Sequence, residues 1–318
     1  MIYKAARLLN NYFIARWRNR PSTATFWYLP ERLHTPQDTQ DLALYPIDFR
    51  SKRAYSLENR EGIIVLPYDE PIGRRVNPEA AFQYALGCHD AWRLSGHAQD
   101  RDVFLRYAAW FAHRQTAQGL WEYEFDWFEA KAPWSSALAQ ARGASVMARA
   151  LSLTGDEAYR EHALAAFRSF AVPIEEGGFL HVFSREACVY FEEYPPIPTG
   201  VINGFMSALI SLWDVNRLLE APSLVSLWET GIASLEKMLP YYSTGWWSLY
   251  DLDAASPVRN VNSPRYHWLE CQYLQVLARL ASSAALQTAY ENRLQQYHHP
   301  LNRWRALGGK AVRKILYR

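Results

Sequence analysis

The residues most suited to chemistry are carboxylates and phenols that stand side by side. Glu193 and Tyr194 are adjacent, with Glu192 just before them and Tyr190 two residues further back. Tyr250 is followed by Asp251, and Tyr266 by His267. A carboxylate beside a phenol offers two acid/base groups of different strength, which is what a proton transfer across a substrate needs. Two carboxylates such as Glu193 and Asp251 could instead serve a hydrolysis of the glycosidase kind. No phosphate-cradling glycine loop, nucleophile elbow or HExxH helix occurs, and the nine histidines fall into no metal-ligand spacing. His298–His299 reads as a surface pair, while His181 could approach Glu192 in space. The expected reaction needs no cofactor and no metal.

The segment carrying the first pair, YFEEYPPIPTGVINGFM from Tyr190 to Met206, is dense in proline. Pro195, Pro196 and Pro198 forbid a regular helix and push their neighbours towards extended geometry. In an extended segment Glu193 would face one way and Glu192 and Tyr194 the other, unless the chain kinks. An amphipathic helix should open near Thr199.

These pieces have to be positioned by helices. From Asn77 onward the apolar pattern is helical and it repeats. Helices are predicted over 78–94, 100–114, 135–153, 156–170, 199–219, 222–239, 264–281 and 285–297. Pro at first turns and Gly96 and Gly155 at ends mark the boundaries. Extended aromatic pieces, GLWEYEF (119–125), GGFLHVF (177–183) and GWWSLYDL (245–252), follow the first three pairs. A helix–turn–helix–extended module therefore recurs about four times at a spacing near 60 residues. Residues 1–76 are irregular and should wrap around the body. The fold expected is all-α dominated, an (α/α) toroid of about four hairpins with short β pieces on one rim. An open solenoid built from the same hairpins stays available on periodicity alone. The expected divisions are 1–76, 77–299 and a basic amphipathic tail, 300–318.

Composition adds a lean towards carbohydrate. The chain of 318 residues holds 13 Trp and 20 Tyr, whose rings stack on sugars but equally fill cores. Cys88, Cys188 and Cys271 are scattered and odd in number, so buried free thiols are expected. No stretch reaches the roughly 18 apolar residues of a membrane span. The N-terminal sequence lacks the apolar core of a secretory signal, so the chain is expected in the cytoplasm or at the inner face of the membrane. Charge is uneven: residues 1–20 carry five Lys or Arg and residues 293–318 carry seven, with no acid in either, leaving 22 basic against 32 acidic residues between. Basic amphipathic ends suggest contact with an anionic membrane face or a polyanionic chain.

Five ordered blocks carry a family resemblance. They are NPEAAFQYALG (77–87), APWSSALAQARGASV (132–146), EEYPPIPTGVINGFMSALISLWDV (192–215), GIASLEKMLPYYSTGWWSLYDL (231–252) and YHWLECQYLQVL (266–277). Together they resemble the glucuronyl C5-epimerase family, which acts on heparosan-type polysaccharide. The resemblance implies an (α/α) toroid and an acidic polysaccharide as partner, with no role for nucleic acid; a homodimer stays open. It implies that Glu193 and a tyrosine flank the sugar C5 as the acid/base pair, with further tyrosines lining the site, which places Tyr194, Tyr250 and Tyr266 there. Trp134, Gln140, Arg142, Asn203 and His267, with Arg259 and Arg265, are the expected substrate contacts. Two departures matter. Asp253 stands after the YDL triplet where animal members have Arg, and Ala141-Arg142-Gly143 replaces a GQG-like turn. The function expected is uronate C5 epimerisation, with a polysaccharide lyase or a lapsed, glycan-binding relative as alternatives.

Overall fold

The computed structural model describes residues 23–35, 43–183, 186–253 and 256–317. The basic segment 1–20 and most of the polar stretch 34–42 lie outside the described residues. The described chain is mostly helical and divides into two compact units. One holds the residues up to His113 with Glu122–Trp134; the other holds Arg114–Trp121 and the chain from Ser135 onward.

In the first unit a short helix, α1 (Thr23–Tyr28), and irregular chain pack on one hairpin, α2 (Pro78–Ser95) and α3 (Ala98–Ala112). Two two-residue strands, β1 (Leu66–Pro67) and β2 (Arg74–Arg75), pair antiparallel. Helix α2 starts where its composition says it should. Asn77 caps it by accepting from the Ala80 amide at 3.0 Å, and Pro78 occupies the first turn. The wrapping segment is pinned by buried polar contacts. Lys52 is fully buried and donates to the Phe26 and Leu29 carbonyls, and the Ile64 amide donates to the Tyr107 hydroxyl at 2.8 Å.

The second unit contains three hairpins: α4 (Ala137–Thr154) with α5 (Ala158–Ala165), α6 (Ile202–Leu219) with α7 (Pro222–Met238), and α8 (Pro264–Leu280) with α9 (Ala284–His298). The first helices of the hairpins pack on one another, α4 on α6 and α6 on α8, and each is backed by its own partner. This is the alternation of inner and outer helices on which (α/α) folds are built. Helices α4 and α6 are buried along most of their length, so an unpaired polar side chain there carries a cost. Arg149 of α4 grips Asp214 of α6 with two bonds, at 2.5 and 2.9 Å, both groups fully withdrawn from solvent. The three cysteines are free and buried, as their scatter suggests.

The helix boundaries differ from expectation by more than two residues in two places. Helix α6 begins at Ile202, not Thr199, because the Thr199 carbonyl accepts from the Leu252 amide and the Ile202 amide is spent on the Tyr250 carbonyl. Helix α5 stops at Ala165, and the chain continues as short 3-10 turns to Glu176. Of the extended pieces, 177–183 yields a strand, β3 (Leu180–Phe183), paired antiparallel with β4 (Cys188–Phe191). The piece 119–125 forms no strand; it makes only an isolated bridge between Tyr123 and Trp134. The basic tail is a helix, α10 (Pro300–Tyr317).

Candidate active site

The hairpin β3–β4 delivers the two glutamates. Leu180 pairs with Phe191 and His181 with Tyr190, so Glu192 leaves the sheet at a fixed point. Its amide donates to the Phe179 carbonyl at 2.9 Å, and its own carbonyl accepts from the Ala137 amide at 3.3 Å. Its carboxylate is fully buried, bonded to His181 Nδ1 at 2.7 Å and to the Gly200 amide at 3.2 Å. Burial raises the Glu192 carboxyl, His181 opposes this, and the same hydrogen bond raises the His181 imidazole. Glu192 is thus committed to tying strand, helix α4 and the approach to α6 together. Gly200 takes a positive φ of +65° there, with its carbonyl accepting from the Tyr242 hydroxyl at 2.7 Å.

Glu193 has a different fate. The chain bends at Glu193 and Tyr194, ahead of the prolines, so strict alternation fails and the two side chains hydrogen-bond each other. The Glu193 carboxylate lies against the first turn of α6. A Cβ on Gly204 would stand 2.4 Å from its Oε2 and 2.8 Å from its Cβ, so only glycine leaves room for the carboxylate in this position. Burial pushes the Glu193 carboxyl up to about 7; the Tyr194 bond and the Arg142 charge pull it down, and Glu192 pushes it up.

Three phenols complete the cluster. Tyr194 is driven well above its ordinary value by burial, then by the charge of Glu193 and the nearby phenols of Tyr250 and Tyr266. Tyr250 is raised likewise, by burial first and then Glu193, with a hydrogen bond to Tyr194. Its backbone is stitched at both ends, the amide to the Asn260 carbonyl at 2.7 Å and the carbonyl to the Ile202 amide at 3.2 Å. Tyr266 sits in the first turn of α8, where Ser263 caps the helix by accepting from the Tyr266 amide at 3.2 Å. Its ring meets that of Tyr250 edge-on at 5.3 Å. Tyr266 is 40% exposed while Glu193 is half-buried, so the cluster opens to solvent.

Helix α10 supplies charge that sequence reasoning missed. The Lys310 ammonium lies 5.1 Å from the centre of the Tyr250 ring and donates to Asn260 Oδ1 at 2.6 Å. Asn260 in turn donates to Asp251 at 2.5 Å. Arg313 donates to the Val258 carbonyl at 2.7 Å and to Asp253 at 3.3 Å. The charge of Asp253 is therefore answered by Arg313. No spacing within the motif could reveal this, because both cations come from a helix that follows it by about 60 residues, in the segment expected to be a basic amphipathic tail.

The remaining expected contacts separate into two groups. Arg142 is buried in α4, donates to the Tyr273 hydroxyl at 2.8 Å, and its charge is felt at Glu193. Asn203, next to Gly204, is buried and neither amide atom has a partner among the described residues; the same holds for the Ser207 hydroxyl one turn along α6. Arg265 is half-buried beside Tyr266 in sequence, and Arg259 is exposed. The structure gives the three others internal scaffolding contacts. Gln140 is fully buried, accepting from the Trp121 amide at 2.7 Å and donating to the Gly119 carbonyl at 2.8 Å. His267 is fully buried, stacked on Trp247 at 3.7 Å, with its ring nitrogens bonded to Ser248 and the Arg293 carbonyl. Trp134 lies in the first unit, stacked on Tyr123 at 4.0 Å with its indole N–H donated to the Phe125 carbonyl. One ring face and the indole donor are therefore in use. Among the described residues no three His, Cys, Asp or Glu gather as a metal site.

Comparison with known proteins decides the family. The D-glucuronyl C5-epimerase C-terminus family matches residues 115–295, more than half of the 318-residue chain. This protein belongs to that family. The matched span includes Glu193, Tyr194, Tyr250 and Tyr266. The D-glucuronyl C5-epimerase of Caenorhabditis elegans is 29% identical over 209 residues, covering 59% of this chain and 34% of the nematode protein. An uncharacterized protein of Methanocaldococcus jannaschii is 32% identical over 137 residues, 42% of this chain and 44% of that one. The chain thus spans about a third to under a half of these relatives' lengths. Among solved structures, an unsaturated glucuronyl hydrolase from Bacillus sp. GL1 superposes with a TM-score of 0.49 at 15% identity, covering 69% of this chain and 60% of that one. At that similarity nothing of its chemistry transfers.

Proposed function

We propose that this C5-epimerase family member inverts C5 of uronate units in an acidic polysaccharide. The observation that carries the proposal is a carboxyl raised to about 7 at Glu193, held against protonated phenols in a cluster open to solvent. The C5 hydrogen lies alpha to the uronate carboxylate. The Glu193 carboxylate takes this proton, and the electron pair of the broken C–H bond moves into the uronate carboxylate, giving an enediolate. A base with a pKa near the working pH is suited to that step. The phenols of Tyr194 and Tyr250, which burial keeps protonated, donate hydrogen bonds to the developing charge. Lys310 beside Tyr250 and Arg142 beside Glu193 add positive potential, in place of the cation that Asp253 replaces. The Tyr266 hydroxyl returns a proton to the opposite face of C5, and solvent then restores both groups. The reverse direction exchanges the two roles. Asp251, the second carboxylate that hydrolysis would need, is buried and bonded to Asn260, which favours proton transfer over glycoside cleavage.

The test is incubation with heparosan-type polymer in deuterated water, read by NMR at C5. Deuterium at C5 is expected with the wild-type chain and its loss with Glu193→Gln. No label on any uronate polymer tried would refute the proposal, and unsaturated products would redirect it to β-elimination.

A further inference from the structure

Helix α10 (Pro300–Tyr317) is docked the wrong way round for a surface helix. An amphipathic helix ordinarily buries its apolar stripe and presents its polar face to water. Here the polar side faces the protein: Asn302 donates to the Gln296 carbonyl at 3.2 Å, Lys310 to Asn260, and Arg313 to Asp253 and Val258. Ala306 is fully buried and Leu307 half-buried, but a set of large apolar residues points outward. Leu301 and Trp304 are each 65% exposed, Leu316 60%, Ile315 53% and Val312 50%. Spaced three or four apart for the most part, they form one row along the helix, continued by Gly308. A row of this kind in water marks a surface with a partner.

Charge chooses the partner. From Arg293 to Arg318 the chain carries seven Lys or Arg and no acid. Arg303 and Arg305, both exposed, flank the row; their guanidinium groups stack on Tyr297 and Trp246 at 5.6 and 4.1 Å. A second copy of the helix would bring like charges together. So would residues 1–20, which carry five Lys or Arg and no acid. A polyanionic chain would satisfy the arginines but leave the apolar row in water. An anionic lipid surface satisfies both, because acyl chains accept the row while headgroups meet the flanking cations. No helix among the described residues is long and apolar enough to cross a membrane, so α10 would lie in the plane of the interface. We propose that the outer face of α10 docks on an anionic bilayer. Through Lys310 and Arg313 the same helix grips the loop bearing Tyr250, so docking would hold the candidate site at the membrane surface.

Vesicle flotation of the full chain tests this, using phosphatidylcholine mixed with phosphatidylglycerol, and phosphatidylcholine alone. The wild-type chain should float with the mixed vesicles and far less with the neutral ones, and added salt should weaken binding. Trp304→Ser with Ile315→Ser should lower partitioning by about tenfold or more, as expected for removing two apolar side chains from an interface. Because both residues are exposed, thermal melting should not change; Leu301→Ser with Leu316→Ser provides an independent pair should it do so. Arg303→Glu with Arg305→Glu should abolish the preference for phosphatidylglycerol. Failure of the wild-type chain to float at low salt overturns the proposal, as does flotation of both serine pairs equal to that of the wild-type chain. A solution dimer that Trp304→Ser converts to monomer would assign the row to a second copy. Flotation that appears only after deletion of residues 1–20 would assign it to that segment.

Discussion

Two acidic clusters in the second unit, one fully buried around Glu270 and one open to solvent around Glu193, are built on opposite plans. Around Glu270 the charges are matched, although Asn262 Oδ1 has no partner among the described residues. Its oxygens accept from Asn262 at 2.9 Å and from Arg293 Nε at 2.7 Å, and Arg293 also donates to the Tyr242 carbonyl at 3.1 Å. His267 is held between Ser248 and the Arg293 carbonyl, and burial lowers its imidazole to about 4, so it stays neutral. Around Glu193 the neighbours are phenols that stay protonated, Asn203 and Ser207 keep buried polar atoms without partners among the described residues, and the carboxyl is raised to about 7. A matched network spends its charges on holding helices together, whereas a mismatched one keeps reactivity in reserve. The two carboxylates of the EEYP motif repeat the lesson at the scale of one peptide bond. Glu192 is bonded to His181 and Gly200, and Glu193 is left poised over Gly204.

The contrast can be broken by exchanging the symptoms. Glu193→Gln should cost about 10²- to 10⁴-fold in C5 exchange, the usual worth of a general acid/base, while the melting temperature holds or rises. Arg293→Ala should do the reverse. It leaves Glu270 buried and unpaired, so denaturant unfolding should show a loss of about 3–5 kcal/mol, with exchange by the surviving folded protein little altered. An Arg293→Ala protein of unchanged stability would erase the distinction. Gly204→Ala is a subtler probe, since one methyl must displace the Glu193 carboxylate. Exchange should fall by about tenfold or more, on the scale of a misplaced catalytic group, and unfolding free energy should change far less.

Stability as a function of pH should sharpen the comparison. The folded-state value of Glu193 lies above the usual 4.5, so the folded state holds the proton longer. Its contribution is complete below about 4.5 and is lost as pH rises through about 7. His267 has a folded-state value depressed from 6.5 to about 4, so its contribution is present above 6.5 and is lost as pH falls towards 4. Each effect should be worth about 1–2 kcal/mol after allowance for solvent screening. Glu193→Gln should remove the alkaline decline and leave the acid one. Unfolding curves from pH 4 to 9 in both proteins check the sign.

Much of the fold was legible because its punctuation is local. Asn77-Pro78, Pro222 and Pro264 open helices, Gly96 and Gly155 close them in the left-handed conformation, and apolar periodicity fills the intervals. Glu193, Tyr194, Tyr250 and Tyr266 were legible as a set through their motif, and the chain brings them together. What could not be read was long-range. Nothing near Lys310 or Arg313 in sequence announces that they face the Tyr250 loop. Gln140 and His267 carry the same atoms whether they meet a sugar or a backbone carbonyl, and only the fold shows the carbonyl. The pairing of Leu180 with Phe191, which sets the two glutamates apart, is a register that no hydrophobic pattern specifies.

The most direct measurement requires no knowledge of the polymer. Carboxyl carbons of isotopically labelled glutamate can be followed by NMR through a pH titration, with Glu193→Gln assigning the signal by its disappearance. The account predicts that the missing signal titrates near 7. A Glu193 that titrates at the ordinary glutamate value, near 4.5, would remove the base on which the proposed epimerisation depends.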